Sequence, residues 1–163
     1  MPLRPGDRAP EFTLRDQHGR ERSLAGLRGR PVVLYFYPRD NTPACTAEAC
    51  TFRDEFQGFR GLDAEIVGVS ADSPESHAAF AKAHALPFTL LSDPDDRVRT
   101  LFAVPRTLGL FPGRTTYVID AGGVVRHVFT SQLQAKRHIA EALAALRALR
   151  APAPQAPPQV QPR

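Results

Sequence analysis

Two rhythms of apolar and polar positions alternate along this 163-residue chain. Short runs rich in β-branched and aromatic residues recur at 31–37 (PVVLYFY), 64–71 (AEIVGVSA), 87–92 (PFTLLS), 115–120 (TTYVID) and 124–129 (VVRHVF). Each is short and bounded by turn residues, which predicts a strand. Helical spacing separates them. Segment 45–59 places Phe52, Phe56 and Phe59 at intervals of four and three, one apolar stripe. Residues 75–85 follow Ser73-Pro74, and 94–102 follow Asp93-Pro94. Both pairs read as a capping residue with proline at the first helical position. Residues 135–150 carry Ile139, Leu143, Leu146 and Leu149 along one face, and Ala121-Gly122-Gly123 between the last two strands predicts a hairpin.

The order is strand, helix, strand, helix, strand, helix, hairpin, helix. Such alternation predicts an α/β fold whose central sheet contains parallel strands and is flanked by helices; the hairpin makes that sheet mixed. Residues 1–150 form one domain on this reading. After Arg150 the pattern stops: 151–163, APAPQAPPQVQPR, has five prolines in thirteen residues. So little apolar bulk cannot offset ordering entropy, so a flexible tail is expected there.

Composition narrows the class. The chain is 42% hydrophobic and 23% charged, ordinary for a globular domain. No apolar run approaches the length of a bilayer span, and MPLRPGDRAPEF contains no apolar export core, so a cytoplasmic protein without a membrane partner is expected. The net charge of +4 raises the question of a nucleic-acid partner. The basic residues, nearly all Arg, are scattered from Arg4 to Arg163 among acidic ones with no basic run, so nucleic acid is not expected.

The chemistry concentrates at 37–50, YPRDNTPACTAEAC, which holds both cysteines, Cys45 and Cys50. Thr42-Pro43 reads as a helix start, which places Cys45 in the first turn beside unpaired backbone N–H groups. The positive end of the helix dipole favours an anion there, and a thiolate is one. Cys50 lies beyond that turn and leads into Thr51-Phe52, packed surroundings by the pattern. One cysteine reads as reactive and the other as waiting. A zinc site would need more ligands, and His18, His77, His84, His127 and His138 show no ligand spacing near the cysteines. A disulfide between i and i+5 of one helix would have to span too great a distance. Two inert, buried cysteines remain an alternative, because free cysteine packs as a small hydrophobe.

The neighbours of the cysteines weigh against inert packing. YPRDNTPACTAEAC closely resembles the active-site segment of the peroxiredoxins, in particular the Q type, also called bacterioferritin comigratory proteins. Pro38, Thr42 and Cys45 meet the family pattern P-x-x-x-T-x-x-C, and Thr46, Glu48, Ala49 and Cys50 match its T-x-E-A-C run. VPRTLGLFPGRTTYVID (104–120) resembles the family's second active-site segment, whose arginine falls on Arg114. GDRAPEFTLRDQHGRERSLAGLRGRPVVLYFYP reads like its N-terminal strands and turn. Ala44 departs from the glycine common before the cysteine, and alanine is compatible with a first helical turn.

The resemblance implies a thioredoxin-like fold and the reduction of hydrogen peroxide and organic hydroperoxides. It implies that Cys45 attacks the peroxide and becomes a sulfenic acid, and that Cys50 condenses with it to a disulfide reduced by thioredoxin or a similar dithiol. Arg114 would stabilise the thiolate and hold the peroxide, with Glu48 orienting it. Thr42 would offer its hydroxyl, and Pro38 would shape the pocket. No metal, haem or flavin cofactor is implied, and many relatives of this type are monomers. Two other readings stay open: a general thiol–disulfide oxidoreductase, against which C-x4-C in place of C-x-x-C argues, and a non-catalytic binding module of the same fold.

Overall fold

A computed structural model describes residues 2–150. In chain order its elements are β1 (Thr13–Asp16), β2 (Glu21–Ser23), β3 (Val32–Phe36), α1 (Pro43–Asp54), α2 (Phe56–Gly61), β4 (Glu65–Ser70), α3 (Pro74–His84), β5 (Thr89–Ser92), α4 (Arg97–Leu101), β6 (Thr115–Ile119), β7 (Val125–Thr130) and α5 (Ala135–Arg150). The tail expected at 151–163 lies outside the described residues.

The strands form one sheet in the order β2-β1-β5-β4-β3-β6-β7. β3 pairs parallel with β4, and β4 parallel with β5. β6 runs antiparallel to β3 and to β7, and β1 antiparallel to β5 and β2. The sheet is therefore mixed, as the alternation and the hairpin predict. The hairpin turn is held by Asp120, whose Oδ1 accepts from Gly122 N and Val124 N at 3.0 and 2.9 Å. Gly123 there takes φ 89°.

β3 is apolar at every position because it is central and covered on both faces. Side chains alternate across a strand, so Val33, Tyr35 and Tyr37 join one core layer and Val32, Leu34 and Phe36 the other. The first layer packs under α1, α2, α3 and α5 through Phe52, Phe59, Phe80, Ile139, Leu143 and Leu146. The second is closed by Val98 and Phe102 around α4 and by Phe12 and Leu14 near the N-terminus. Gly68 of β4 leaves room for the Tyr35 ring: a Cβ there would lie 2.8 Å from Tyr35 Cζ.

Two helices differ from expectation. The segment 45–59 is not one helix but α1 and α2, interrupted at Glu55 (φ −94°, ψ 7°). Tertiary packing explains the break: Phe52 and Phe59 both reach full burial while Phe56 stays half-buried at the edge. Pro94 does not open the third helix, because Asp96 takes a left-handed conformation and delays the start to Arg97. Asp93 still caps α4, its carboxylate accepting from Val98 N and Arg99 N at 2.9–3.1 Å. None of the described helices is long and apolar enough to cross a membrane.

Candidate active site

The loop after β3 delivers the chain into α1, so the C-terminal end of the central strand sets the height of the first helical turn. Thr42 is the N-cap and Pro43 follows it. Cys45 stands in the first turn, as the sequence predicts. α1 buries Cys45, Glu48, Ala49 and Phe52, a face with helical spacing of three and four. Five residues on a helix rotate by about 140°, so Cys50 cannot share that face. It is half-buried, whereas Cys45 is only 1% exposed. The expectation that Cys50 is the packed thiol is thus reversed. Both thiols are free.

Arg114 immediately precedes β6 and is itself 2% exposed. Its Nη2 donates to Cys45 Sγ at 3.3 Å, and its Nη1 donates to Glu48 Oε1 at 2.8 Å. One guanidinium thus bridges two positions of the same helix face, i and i+3. Burial works against the Arg114 charge, but Glu48 and the Cys45 sulfur outweigh it and hold its pKa above the ordinary value. Burial pushes the Glu48 carboxyl up to about 8 against the pull of Arg114. A buried thiol facing a fixed cation is suited to hold a thiolate and to meet negative charge developing on a bound oxygen.

Residues 5–128 match the model of the AhpC/TSA family. The chain belongs to the AhpC/TSA family. Within it the chain is a peroxiredoxin of the Q type, a thiol-dependent peroxidase. It is 53% identical over 146 residues to peroxiredoxin Q of Sedum lineare, covering 89% of this chain and 78% of that one. Against its counterpart in Populus jackii it is 50% identical over 145 residues, covering 88% and 68%; both relatives are named as chloroplastic. The crystal structure of peroxidoxin BcpB from Mycobacterium tuberculosis superposes with a TM-score of 0.85 at 42% identity, covering 91% of this chain and 99% of that one. Peroxiredoxin Q of Xanthomonas campestris gives 0.78 at 30% identity, covering 84% and 90%. The fold is the thioredoxin-like one of the peroxiredoxins.

In this peroxiredoxin, Cys45, Arg114 and Glu48 are in direct contact, so Glu48 is not an exposed helical carboxylate and Arg114 is not at the surface. Thr42 and Pro38 are less engaged. The Thr42 hydroxyl makes no cap bond and donates instead to Arg39 O at 3.0 Å across the turn. Asn41 precedes it at φ 64°, and that turn brings the Arg39 carbonyl within reach. Its own carbonyl receives Thr46 N at 2.9 Å and begins the helix. Pro38 sits half-buried just past β3, in the loop leading to α1.

Several participants carry no sequence signal. Arg99, 5% exposed, donates to Gly113 O at 2.6 Å and to Tyr37 O at 2.7 Å. It ties the residue before Arg114 to the residue before Pro38, bracing the two active-site segments against each other. Gly113 admits no side chain, since a Cβ would lie 1.8 Å from Pro105 O. His138 of α5 backs the pair: its Nδ1 is 3.7 Å from Glu48 Oε2 and 2.8 Å from Thr116 Oγ1. Its Nε2 donates to Ser131 O at 2.8 Å. Burial lowers its pKa to about 4, so the ring is neutral at pH 7. Among the described residues one set of metal-capable groups converges, Asp40, Asp72 and His77. The carboxylate of Asp40 and both nitrogens of His77 are already engaged in hydrogen bonds with neighbouring protein groups.

Proposed function

We propose that Cys45 is the peroxide-reactive thiolate and Cys50 its resolving partner, with thioredoxin or a similar dithiol as reductant. The observation that carries this reading is the 3.3 Å contact of Arg114 Nη2 with Cys45 Sγ. In the first step the Cys45 thiolate attacks the terminal peroxide oxygen. The O–O bond breaks, the S–O bond forms, and the leaving oxide takes a proton to become water or an alcohol. Cys45 is then a sulfenic acid. In the second step the Cys50 thiol attacks that sulfur, expels water and closes a Cys45–Cys50 disulfide. Exchange with an external dithiol restores both thiols.

Arg114 meets the negative charge that grows on the peroxide oxygens, and Glu48 holds its guanidinium in the required plane. Pro38 limits water access along the loop. Thr42 contributes through the helix start, and its hydroxyl turns from Arg39 O towards the peroxide when one is bound. Hydrogen peroxide and organic hydroperoxides are the proposed substrates; a Xanthomonas campestris relative is described as having alkyl peroxide reduction activity. All these groups come from one chain, so a monomer suffices. The cytoplasm, where dithiols are kept reduced, is the compartment that suits the cycle.

The test is Cys45→Ser beside Cys50→Ser, each given one equivalent of peroxide and read by intact mass. Cys45→Ser should gain no oxygen and lose all turnover, and Cys50→Ser should gain one oxygen on Cys45, trappable as a sulfenic acid. Oxygen uptake by Cys45→Ser but not by Cys50→Ser would reverse the roles.

A further inference from the structure

The residues just before α1 are held by a buried side-chain network of their own. Asp40, two residues before the N-cap, is 4% exposed, and His77 of α3 is fully buried. Asp40 Oδ1 accepts from Tyr37 OH at 2.6 Å, and Oδ2 meets His77 Nδ1 at 2.7 Å and Ser76 Oγ at 3.0 Å. Asp40 N donates to Asp72 Oδ2 at 2.8 Å, which also accepts from Ser70 Oγ at 2.6 Å. His77 Nε2 faces Leu91 O at 3.0 Å. A carbonyl only accepts, so Nε2 carries a proton, and a second proton lies on the Nδ1–Oδ2 line. Without it two lone pairs would face each other at that distance.

The anchor thus reaches the end of β3, β4, the loop after it, α3 and β5. Beyond it Thr42 gives α1 no side-chain cap, and the next side-chain tie to the sheet side of the fold is Arg114, on Cys45 and Glu48. Between the two ties lies the turn at Asn41, φ 64°. A Cys45–Cys50 disulfide cannot close on an intact helix, so the first turns of α1 must unwind and refold in each cycle, and they need a fixed end from which to do so.

We propose that the Asp40–His77 pair is that fixed end, which makes His77 a positioning residue for both chemical steps. The proposal rests on the two-cysteine cycle above. With the pair intact, segment 37–42 stays in place, and refolding returns Cys45 to Arg114. With the pair broken, the peroxide-ready arrangement loses population to the unwound one. Sulfenic acid formation then slows, while disulfide closure from the sulfenic acid quickens and less sulfinic acid accumulates at high peroxide. Opposite signs for the two steps are what a general loss of stability would not give.

The experiment compares His77→Asn, whose amide N–H stands near the Nδ1 position, with His77→Gln, whose N–H stands near Nε2. Rapid-quench intact mass on the full chain resolves sulfenic acid, disulfide and sulfinic acid. His77→Gln, which loses the bond to Asp40, should form sulfenic acid roughly tenfold more slowly, the scale of one charge-assisted hydrogen bond, and close the disulfide faster. His77→Asn should stay within about threefold of the unmodified chain, by the same scale. Tyr37→Phe, which removes one donor and keeps the core ring, should show the same split at smaller size. If the unmodified chain forms no Cys45–Cys50 disulfide, the two-cysteine cycle is overturned and the anchor with it. If it does, and His77→Gln and His77→Asn are indistinguishable or slow both steps alike, the anchor alone is overturned.

Discussion

Joining Cys45 to Cys50 should melt the start of α1. Both residues lie on one continuous helix, Pro43–Asp54. Five residues of helix advance about 7.5 Å and turn about 140°, which separates the Cα atoms by about 8–9 Å. A disulfide needs about 4.4–6.8 Å. The shortfall of about 2 Å or more exceeds what side-chain rotation absorbs, so backbone must move. In the reduced form, opening these turns breaks the buried Arg114–Glu48 and Arg114–Cys45 contacts. A hydrogen bond to a charged group is worth about 1.5–3 kcal/mol, so amides near 46–50 should be protected by at least about 10–100-fold. In the disulfide form that protection should vanish across roughly residues 42–54, while β3, β4 and β6 exchange as before. Hydrogen-exchange mass spectrometry on the two forms measures this, with far-UV circular dichroism reporting the lost helix. A fully formed disulfide with unchanged exchange at 42–54 would refute the geometry argued here.

Two further outcomes follow from the buried charges. Arg114→Lys keeps the charge but replaces a fork that reaches two partners with a single ammonium; the second-order rate constant with peroxide should fall by about 2–4 kcal/mol of transition-state stabilisation, and a value within threefold of the parent chain would sink the role given to Arg114. His138, lowered by burial from 6.5 to about 4, binds its proton only in the unfolded chain between those values, so it makes stability fall as pH drops from 6.5 to 4. Glu48, raised from 4.5 to about 8, has the opposite sign: the folded form holds the extra proton, and stability falls as pH rises through that range. Urea midpoints for His138→Gln should therefore decline with rising pH from about 4.5 to 8, whereas the parent chain should be nearly flat up to about 6.5; identical pH profiles would show that His138 does not titrate as its burial demands.

Much of the fold was legible because period-two and period-3.6 patterns report burial directly. PVVLYFY reads as a strand, and β3 is one, buried at every position. The stripe of Phe52, Phe56 and Phe59 reads as one helix, yet α1 stops at Asp54, because a stripe records which residues turn inwards and not whether the backbone between them is continuous. The cysteines teach the same lesson. Their spacing fixes a rotation of about 140°, so one had to face inwards and the other away. The local pattern pointed Cys50 inwards, and the structure buries Cys45, since the deciding partner, Arg114, arrives from the entry to β6, sixty-nine residues later. Thr42 marks the helix start correctly, but the direction of its hydroxyl is set by Arg39 O, which no propensity encodes. Arg99, His77 and His138 stayed invisible because their meaning is tertiary: an arginine among nineteen and histidines within helical stripes look alike until the sheet brings carbonyls and carboxylates to them.

The same residues explain where this chain accepts instability. Arg99 and Arg114 are both buried, and each charge taken from water costs several kcal/mol before its partners offset it; burial drives Glu48 beside Arg114 towards its neutral form. Offsetting is incomplete: Glu48 Oε2 and Arg114 Nε, both buried, have no hydrogen-bond partner among the described residues. A core built for stability alone would put apolar side chains there. The unmatched atoms belong to the two groups beside Cys45, at the start of the helix that the proposed cycle would have to open. Incomplete satisfaction lowers the free energy needed to open that helix, while the Arg99 bonds to Gly113 and Tyr37 carbonyls hold the ends of both active-site segments to the sheet. The site is therefore fastened at its edges and imperfectly satisfied at its centre, the arrangement that the proposed cycle requires if one helix is to hold the Cys45 sulfur in one step and release it to Cys50 in the next.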